Sequence, residues 1–409
     1  MKKLLLLCTL ALAVALVGCK TQHLTAKDVI LSSYQKCQSI QCGHYEAGYL
    51  MKYMSDNDTA YYHYTCDFKK SLSDTIFGKT FNFLEESKTV GANYKCGYIY
   101  TGNEYVLFSD SLGTVMSCDK WARDIVDRRH QIEFYTPLTN RSSYPLRGAI
   151  QLLDTSYTYS LSETKLDGKK CHLVSILGPQ VEDKNFGMKI IRYETKVWID
   201  KKDYLPLKYS TAFDIVQQKD TMREYKEFKL LSFSPQVDET KLTLDAVPKT
   251  VTLKDYVPYT PKEPEMLPEG TPAPLWSLPN LAGDTVSLAD LKGKVVLVDF
   301  FYKSCAPCCA ALPCLQSLHE KYKDKGFVMI GIDPIDDPVK AKMADFLAKR
   351  DVTYTVLFSD RELPKEYHVS GYPTLYFIDR NGNIVHTQIG FSTTLEEELE
   401  KKLVEMLGK

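Results

Sequence analysis

"KVVLVDFFYKSCAPCCAALPCLQSLHEKY", Lys294 to Tyr322, decides the fold of its half of the chain. Val295 to Phe300 is an apolar run broken only by Asp299, the pattern of a strand buried on both faces. Four cysteines then fall within ten residues, at positions 305, 308, 309 and 314. The apolar spacing switches there to a helical period through Leu312, Leu315, Leu318 and Tyr322, and Gly326 closes the helix. Cys305-Ala306-Pro307-Cys308 therefore lies where a buried strand gives way to a helix. A helix N-terminus carries partial positive charge and free N–H groups, which lower a cysteine pKa from ~8.5 into roughly the 3.5–7.5 range. Cys305 is read as the attacking thiolate. Cys308, two intervening residues on, is read as the thiol that resolves a mixed disulfide.

The rest of this half alternates strand and helix. "FVMIGID" reads as a second central strand, and "DDPVKAKMADFLAKR" as a helix with Pro338 in its first turn. "TYTVLF" is a strand, "RELPKEYHV" a short helix and "TLYFID" a further strand. Asn381-Gly382 then turns the chain into "NIVHTQIG", paired antiparallel, and Thr393 or Thr394 caps a last helix.

Ala273 to Lys409 resembles the TlpA/ResA branch of extracytoplasmic thioredoxins, so an α/β thioredoxin fold is expected there. "APLWSLPNLAGDTVSLADLKGKVVLVDF" is similar to that branch's N-terminal hairpin and first core strand. Asp299 matches the buried aspartate, which implies a proton acceptor for Cys308, and Pro313 matches the kink proline of the active-site helix. Tyr372-Pro373-Thr374 matches the loop whose cis-proline lies against the dithiol and pairs with substrate backbone. Ser304 departs from the tryptophan usual before the first cysteine, and Ala311 from an acidic residue common in this branch. The resemblance implies a thiol–disulfide oxidoreductase that reduces the disulfides of client proteins. It implies electrons from a membrane thiol carrier of the DsbD/CcdA type and no dissociable cofactor. A peroxiredoxin is the alternative enzyme, but its Pro-x-x-x-Thr-x-x-Cys pattern is met here by Val298 and Tyr302. Cys309 and Cys314 are read as small buried hydrophobes, with a third redox thiol at Cys309 as the other reading. A metal held by this cluster is disfavoured because a helix turns through ~600° between Cys308 and Cys314.

The opposite end of the chain bears on compartment. Lys2 and Lys3 precede an apolar stretch, Leu4 to Leu16, too short to span a bilayer. Leu16-Val17-Gly18-Cys19 resembles a bacterial lipobox. Residues 1–18 are therefore expected to be a lipoprotein signal peptide and Cys19 the lipidated N-terminus. That makes a periplasm-facing protein of the bacterial cell envelope, tethered to the membrane by lipid. Of twelve cysteines, six remain in the front half: Cys37, Cys42, Cys66, Cys96, Cys118 and Cys171. In an oxidising compartment they are read as structural, with one or two disulfides among them, although spacing does not choose between ~15 pairings. The balance of 51 basic against 52 acidic side chains gives no case for nucleic acid.

Residues 19–247 read as a mainly antiparallel β domain with an N-terminal helix. Leu24, Val29, Ile30 and Tyr34 mark one side of that helix, and tyrosine-rich alternating stretches follow it. The early helix, the meander and "VWIDKKDYLPLKYS" resemble a LolA/LolB-like half-barrel, which implies a lipid or other apolar ligand. A lipid-binding lipoprotein with an accessory redox domain is thus the second functional reading. His23, His44, His63, His130 and His172 are scattered without zinc-site spacing. Prolines recur through residues 248–272, the composition of a linker, so the thioredoxin-like domain is placed at 273–409.

Overall fold

The computed structural model describes residues 24–52, 59–88, 94–126, 155–183, 188–217, 220–258 and 266–408. The expected signal peptide, residues 1–18, and Cys19 lie outside the described residues, as do His23 and His130. Helix α1 (Ala26–Ser39) opens with a reciprocal cap. Thr25 Oγ1 accepts from the Asp28 amide at 3.2 Å, and Asp28 Oδ2 accepts from the Thr25 amide at 2.9 Å. Its buried residues, Ala26, Val29, Ile30, Ser33 and Cys37, recur every three or four positions. That stripe packs on Val174, Ile176, Val197 and Ile199 of the sheet that follows.

The front half is one long sheet. Its strands are β1 (Cys42–Lys52), β2 (Thr59–Lys70), β3 (Lys79–Ser87), β4 (Lys95–Tyr100), β5 (Glu104–Ser109) and β6 (Leu112–Ser117). After helix α2 (Cys118–Val126) come β7 (Thr158–Leu166), β8 (Lys169–Leu177), β9 (Val181–Asp183), β10 (Met188–Asp200), β11 (Pro206–Gln217) and β12 (Asp220–Ser234). The spatial order is β6-β5-β4-β3-β2-β1-β12-β11-β10-β8-β7, with β9 on β10. The aromatics that made the sequence read as strands supply the core, led by Tyr45, Phe81, Phe83, Tyr100 and Tyr105. Gly97 is required by one of them, since a Cβ there would come within 2.2 Å of the Phe108 ring.

The expectation of disulfides in this half is corrected. Cys37, Cys42, Cys66, Cys96, Cys118 and Cys171 are all unpaired. The strand register is the reason: Cys42 faces Lys69, Cys66 faces Tyr45 and Phe83, Cys96 faces Glu85 and Ser109, and Cys171 faces Asp200 and Thr164. None of these four strand cysteines has another cysteine as its cross-strand partner, where a bridge would form. Burial instead raises the thiols of Cys37 and Cys66, each to about 12.

The proline-rich stretch, residues 248–272, is anchored at both ends. Strand β13 (Thr252–Asp255) pairs parallel with β6 at the edge of the front sheet. Met266 and Leu267 pack on the core of the second half, and the Gly270 amide donates to the Ile384 carbonyl at 2.7 Å.

The second half begins with the hairpin β14 (Ser277–Pro279) and β15 (Thr285–Ser287). Its central sheet has the order β18-β17-β16-β19-β20, formed by Val295–Phe300 (β16), Phe327–Asp333 (β17), Thr355–Phe358 (β18), Thr374–Ile378 (β19) and Ile384–Ile389 (β20). The first three strands run parallel, while β19 and β20 are antiparallel to their neighbours. Helices α3 (Ala306–Tyr322), α4 (Met343–Ala348), α5 (Leu363–Glu366) and α6 (Leu395–Leu407) complete the thioredoxin fold. All six residues of β16 are buried, and they sort by parity. Val296, Val298 and Phe300 join Trp276 and Tyr376 on one face, whereas Val295 and Leu297 join Leu312, Leu315 and Leu399 on the other.

Two expectations of detail change. The helix expected over "DDPVKAKMADFLAKR" starts only at Met343, because Lys342 takes a left-handed φ of 48° and ends the Pro338 turn there. Thr394 stands at the N-cap of α6, but its hydroxyl donates to Glu398 at 2.6 Å rather than accepting from a backbone amide.

Leu315 lies in the middle of α3 with no exposure. Leu315→Ala is expected to destabilise the second half by about 2–5 kcal/mol. Urea unfolding followed by circular dichroism would show this as an earlier transition.

Candidate active site

The site is assembled where β16 ends. Four residues cross the top of the sheet before α3 begins, and Cys305 is the N-cap of that helix with extended backbone angles. Its Sγ accepts from the Cys308 amide at 3.2 Å, the geometry through which a helix N-terminus stabilises a thiolate. Pro307 in the first turn fits because its missing N–H would have had no partner within the helix. Cys305 and Cys308 are joined as a disulfide, with Cα atoms 5.2 Å apart. Cys308 is fully buried and Cys305 only 4 % exposed.

Pro373 follows a cis peptide bond from Tyr372. The loop is pinned on both sides: Thr374 Oγ1 donates to the Gly371 carbonyl at 2.7 Å, and the Gly390 amide donates to the Pro373 carbonyl at 2.8 Å. The Tyr372 ring meets Tyr302 edge-on, 5.2 Å between centroids, and both rings pack on the core that contains the two cysteines. The cis-proline loop and the dithiol thus share one end of the sheet. Ser304 is exposed, whereas Ala311 is buried in the helix core.

Asp299 occupies β16 opposite Leu375 of β19 and beside Gly331 of β17, with no exposure. Strand parity turns it toward the face covered by α3. Among the described residues neither carboxylate oxygen has a hydrogen-bond partner. Burial pushes its pKa up to about 8.

Two neighbouring groups, Tyr354 and Asp333, had no sequence signal or one that was passed over, while Cys309 and Cys314 are buried as the sequence reading expected. Tyr354 is buried with its hydroxyl unpartnered among the described residues, and Asp299, Cys314 and Cys309 all raise it beyond the effect of burial. Cys314 feels Glu396 and Asp299, and with burial foremost its thiol rises to about 12. Cys314 therefore belongs to the protonated surroundings of Asp299. Cys309 does not point at the disulfide partners: its thiol donates to the Lys303 carbonyl at 3.3 Å.

The second group is Asp333, at the C-terminal end of β17 next to the active-site strand. It is fully buried, and burial followed by the charge of Asp336 raises its pKa. Its Oδ1 accepts from the Ile335 and Asp336 amides at 2.8 and 2.9 Å. Asp336 in turn accepts from the Lys303 amide at 2.7 Å, and buried Lys303 Nζ donates to the Ala341 carbonyl at 2.7 Å. This network fixes the backbone two residues before Cys305. An acidic residue closing "FVMIGID" beside the strand that carries Asp299 was a legible hint.

Among the described residues no group of three or more His, Cys, Asp or Glu side chains is arranged to hold a metal ion, and no helix is long and apolar enough to cross a membrane.

The AhpC/TSA family matches residues 270–387. The thioredoxin-like protein YneN of Bacillus subtilis is 33% identical over 148 residues, 36% of this chain and 85% of its own length. The thiol-disulfide oxidoreductase ResA of Bacillus cereus is 33% identical over 149 residues, 36% of this chain and 84% of its own. Among solved structures, the thioredoxin domain of a thiol-disulfide oxidoreductase from Bacteroides vulgatus is 28% identical, with a TM-score of 0.31, covering 33% of this chain and 98% of that one. Through its second half, the chain belongs to the thioredoxin-fold family of ResA-like thiol-disulfide oxidoreductases.

Proposed function

We propose that this chain is a lipid-anchored, extracytoplasmic thiol–disulfide oxidoreductase that reduces client disulfides through Cys305 and Cys308. The observation that carries the reading is the placement of Cys305 on the first turn of α3, within reach of both the Cys308 amide and the Cys308 sulfur.

In the reduced enzyme the Cys305 thiolate attacks one sulfur of a client disulfide. A bond forms from Cys305 to that sulfur, and the other client sulfur leaves as a thiolate. The Cys308 thiol must then lose its proton inside the core. Asp299 is the acceptor in this reading: its carboxyl titrates at about 8, so the fraction that is ionised near neutral pH takes the Cys308 proton and gives it up again. Cys308 attacks Cys305 Sγ, the second client thiolate departs, and two electrons have passed from the dithiol to the client. Pro373 and its loop would pair with client backbone during capture. Electrons return from a thiol carrier in the membrane, of the DsbD/CcdA type, which the lipid on Cys19 would keep within reach. No dissociable cofactor enters these steps.

Cys305→Ser is expected to abolish insulin reduction. Cys308→Ser is expected to retain capture and accumulate a mixed disulfide, visible on non-reducing gels. Consumption of peroxide in place of insulin reduction would overturn the reading.

Asp299→Asn is expected to slow resolution about a hundredfold at pH 7 while capture persists, separable by stopped flow. The same variant has a stability signature. The folded chain holds this proton more tightly than the unfolded one. The resulting stability is complete below about pH 4 and is lost as pH rises to about 8. Asp299→Asn should flatten that decline in denaturation midpoints measured across the window.

Cys19→Ser is expected to shift the protein from the membrane fraction to the soluble fraction and to prevent incorporation of labelled palmitate. A variant that stays membrane-bound would remove the anchor from the proposal.

A further inference from the structure

Gln217 is the last residue of β11, paired with Met188 on one side and Asp220 on the other. It stands at the end of a sheet that belongs to the front half of the chain, yet it has no exposure. A glutamine at the end of a strand pair is normally solvated. This one is buried, and its Nε2 donates to the carbonyl of Ala306 in the second half at 3.3 Å. Ala306 directly follows Cys305. Ile215 and Met222, an opposed pair in the same two strands, are also buried.

The contact falls where chemistry must occur. A client disulfide has to reach Cys305 Sγ along the line of the breaking bond, beside the first turn of α3. That turn already has an amide from the front sheet laid against it. Cys305 is only 4 % exposed, low for a nucleophile that must meet another protein. A single neutral amide–carbonyl hydrogen bond is weak enough to exchange for a client's own backbone donor. The strand end behind it remains as a wall.

We propose that the end of the β11–β12 strand pair forms one side of the client-binding cleft and that Gln217 is a specificity-determining residue for disulfide reduction. Clients presented as extended or locally unfolded segments fit beside it. A broad folded face does not. The inference rests on the oxidoreductase reading above.

The test uses the reduced full-length protein and compares its second-order rate constants for oxidation by insulin and by bis(2-hydroxyethyl) disulfide. Wild type should favour the small disulfide. Gln217→Ala should raise the insulin rate about tenfold and leave the small-disulfide rate within about twofold. Gln217→Glu keeps the side-chain shape but sets an acceptor against the Ala306 carbonyl. It should move the ratio in the same direction, and it serves as the measurement if the alanine variant loses its native circular dichroism. An unchanged ratio in a folded variant, or equal change with both oxidants, overturns the proposal. A wild type that reacts with neither disulfide overturns the oxidoreductase reading instead.

Discussion

Burial of β16 on both faces constrains everything downstream of it. Val296, Val298 and Phe300 are claimed by one core and Val295 and Leu297 by the other, so a slip of one residue would exchange every side chain between them. The strand end is thereby fixed, the four-residue crossing is held by Asp336 and Lys303, and Cys305 arrives at the N-cap of α3. Asp299 is a cost of that arrangement, a fully buried carboxyl with no hydrogen-bond partner among the described residues. Such a group is tolerated in a core as the neutral acid.

Much of the second half was legible because local pattern and tertiary role coincide there. A continuous apolar run can only be a doubly covered strand, and the change from that run to a 3.6-residue period marks the Cys305 turn without ambiguity. Asn381-Gly382 specified its turn through the positive φ of Gly382, 91°. Shortening of α4 was not legible, since nothing in "VKAKMADF" announces that Lys342 will adopt a left-handed conformation. Tyr354 was illegible for another reason. It leads into β18, which pairs with β17 and not with β16, so its approach to Asp299 is a long-range fact that no local spacing encodes.

The front half shows the limit of arguing from compartment. The expectation of export made disulfides the natural reading of six cysteines, but pairing is decided by register, and register sets tyrosines, phenylalanines and charged residues opposite the strand thiols. The helix and the antiparallel strands themselves were readable from capping and alternation. Gln217 was not, because a glutamine at the end of a strand has no signature until the surface that covers it is known.

The parallel pairing of β13 with β6 has a mechanical meaning. Because Thr252–Asp255 is stitched to the front sheet while Met266 is seated in the other core, the covalent tether between the halves shortens to the span from Asp255 to Met266, at most about 40 Å of chain. Within so short a leash, a dissociated strand end stays at an effective local concentration on the order of millimolar at the dithiol. On the proposed reading of Gln217, a dilute client in solution would have to displace a neighbour held at that concentration.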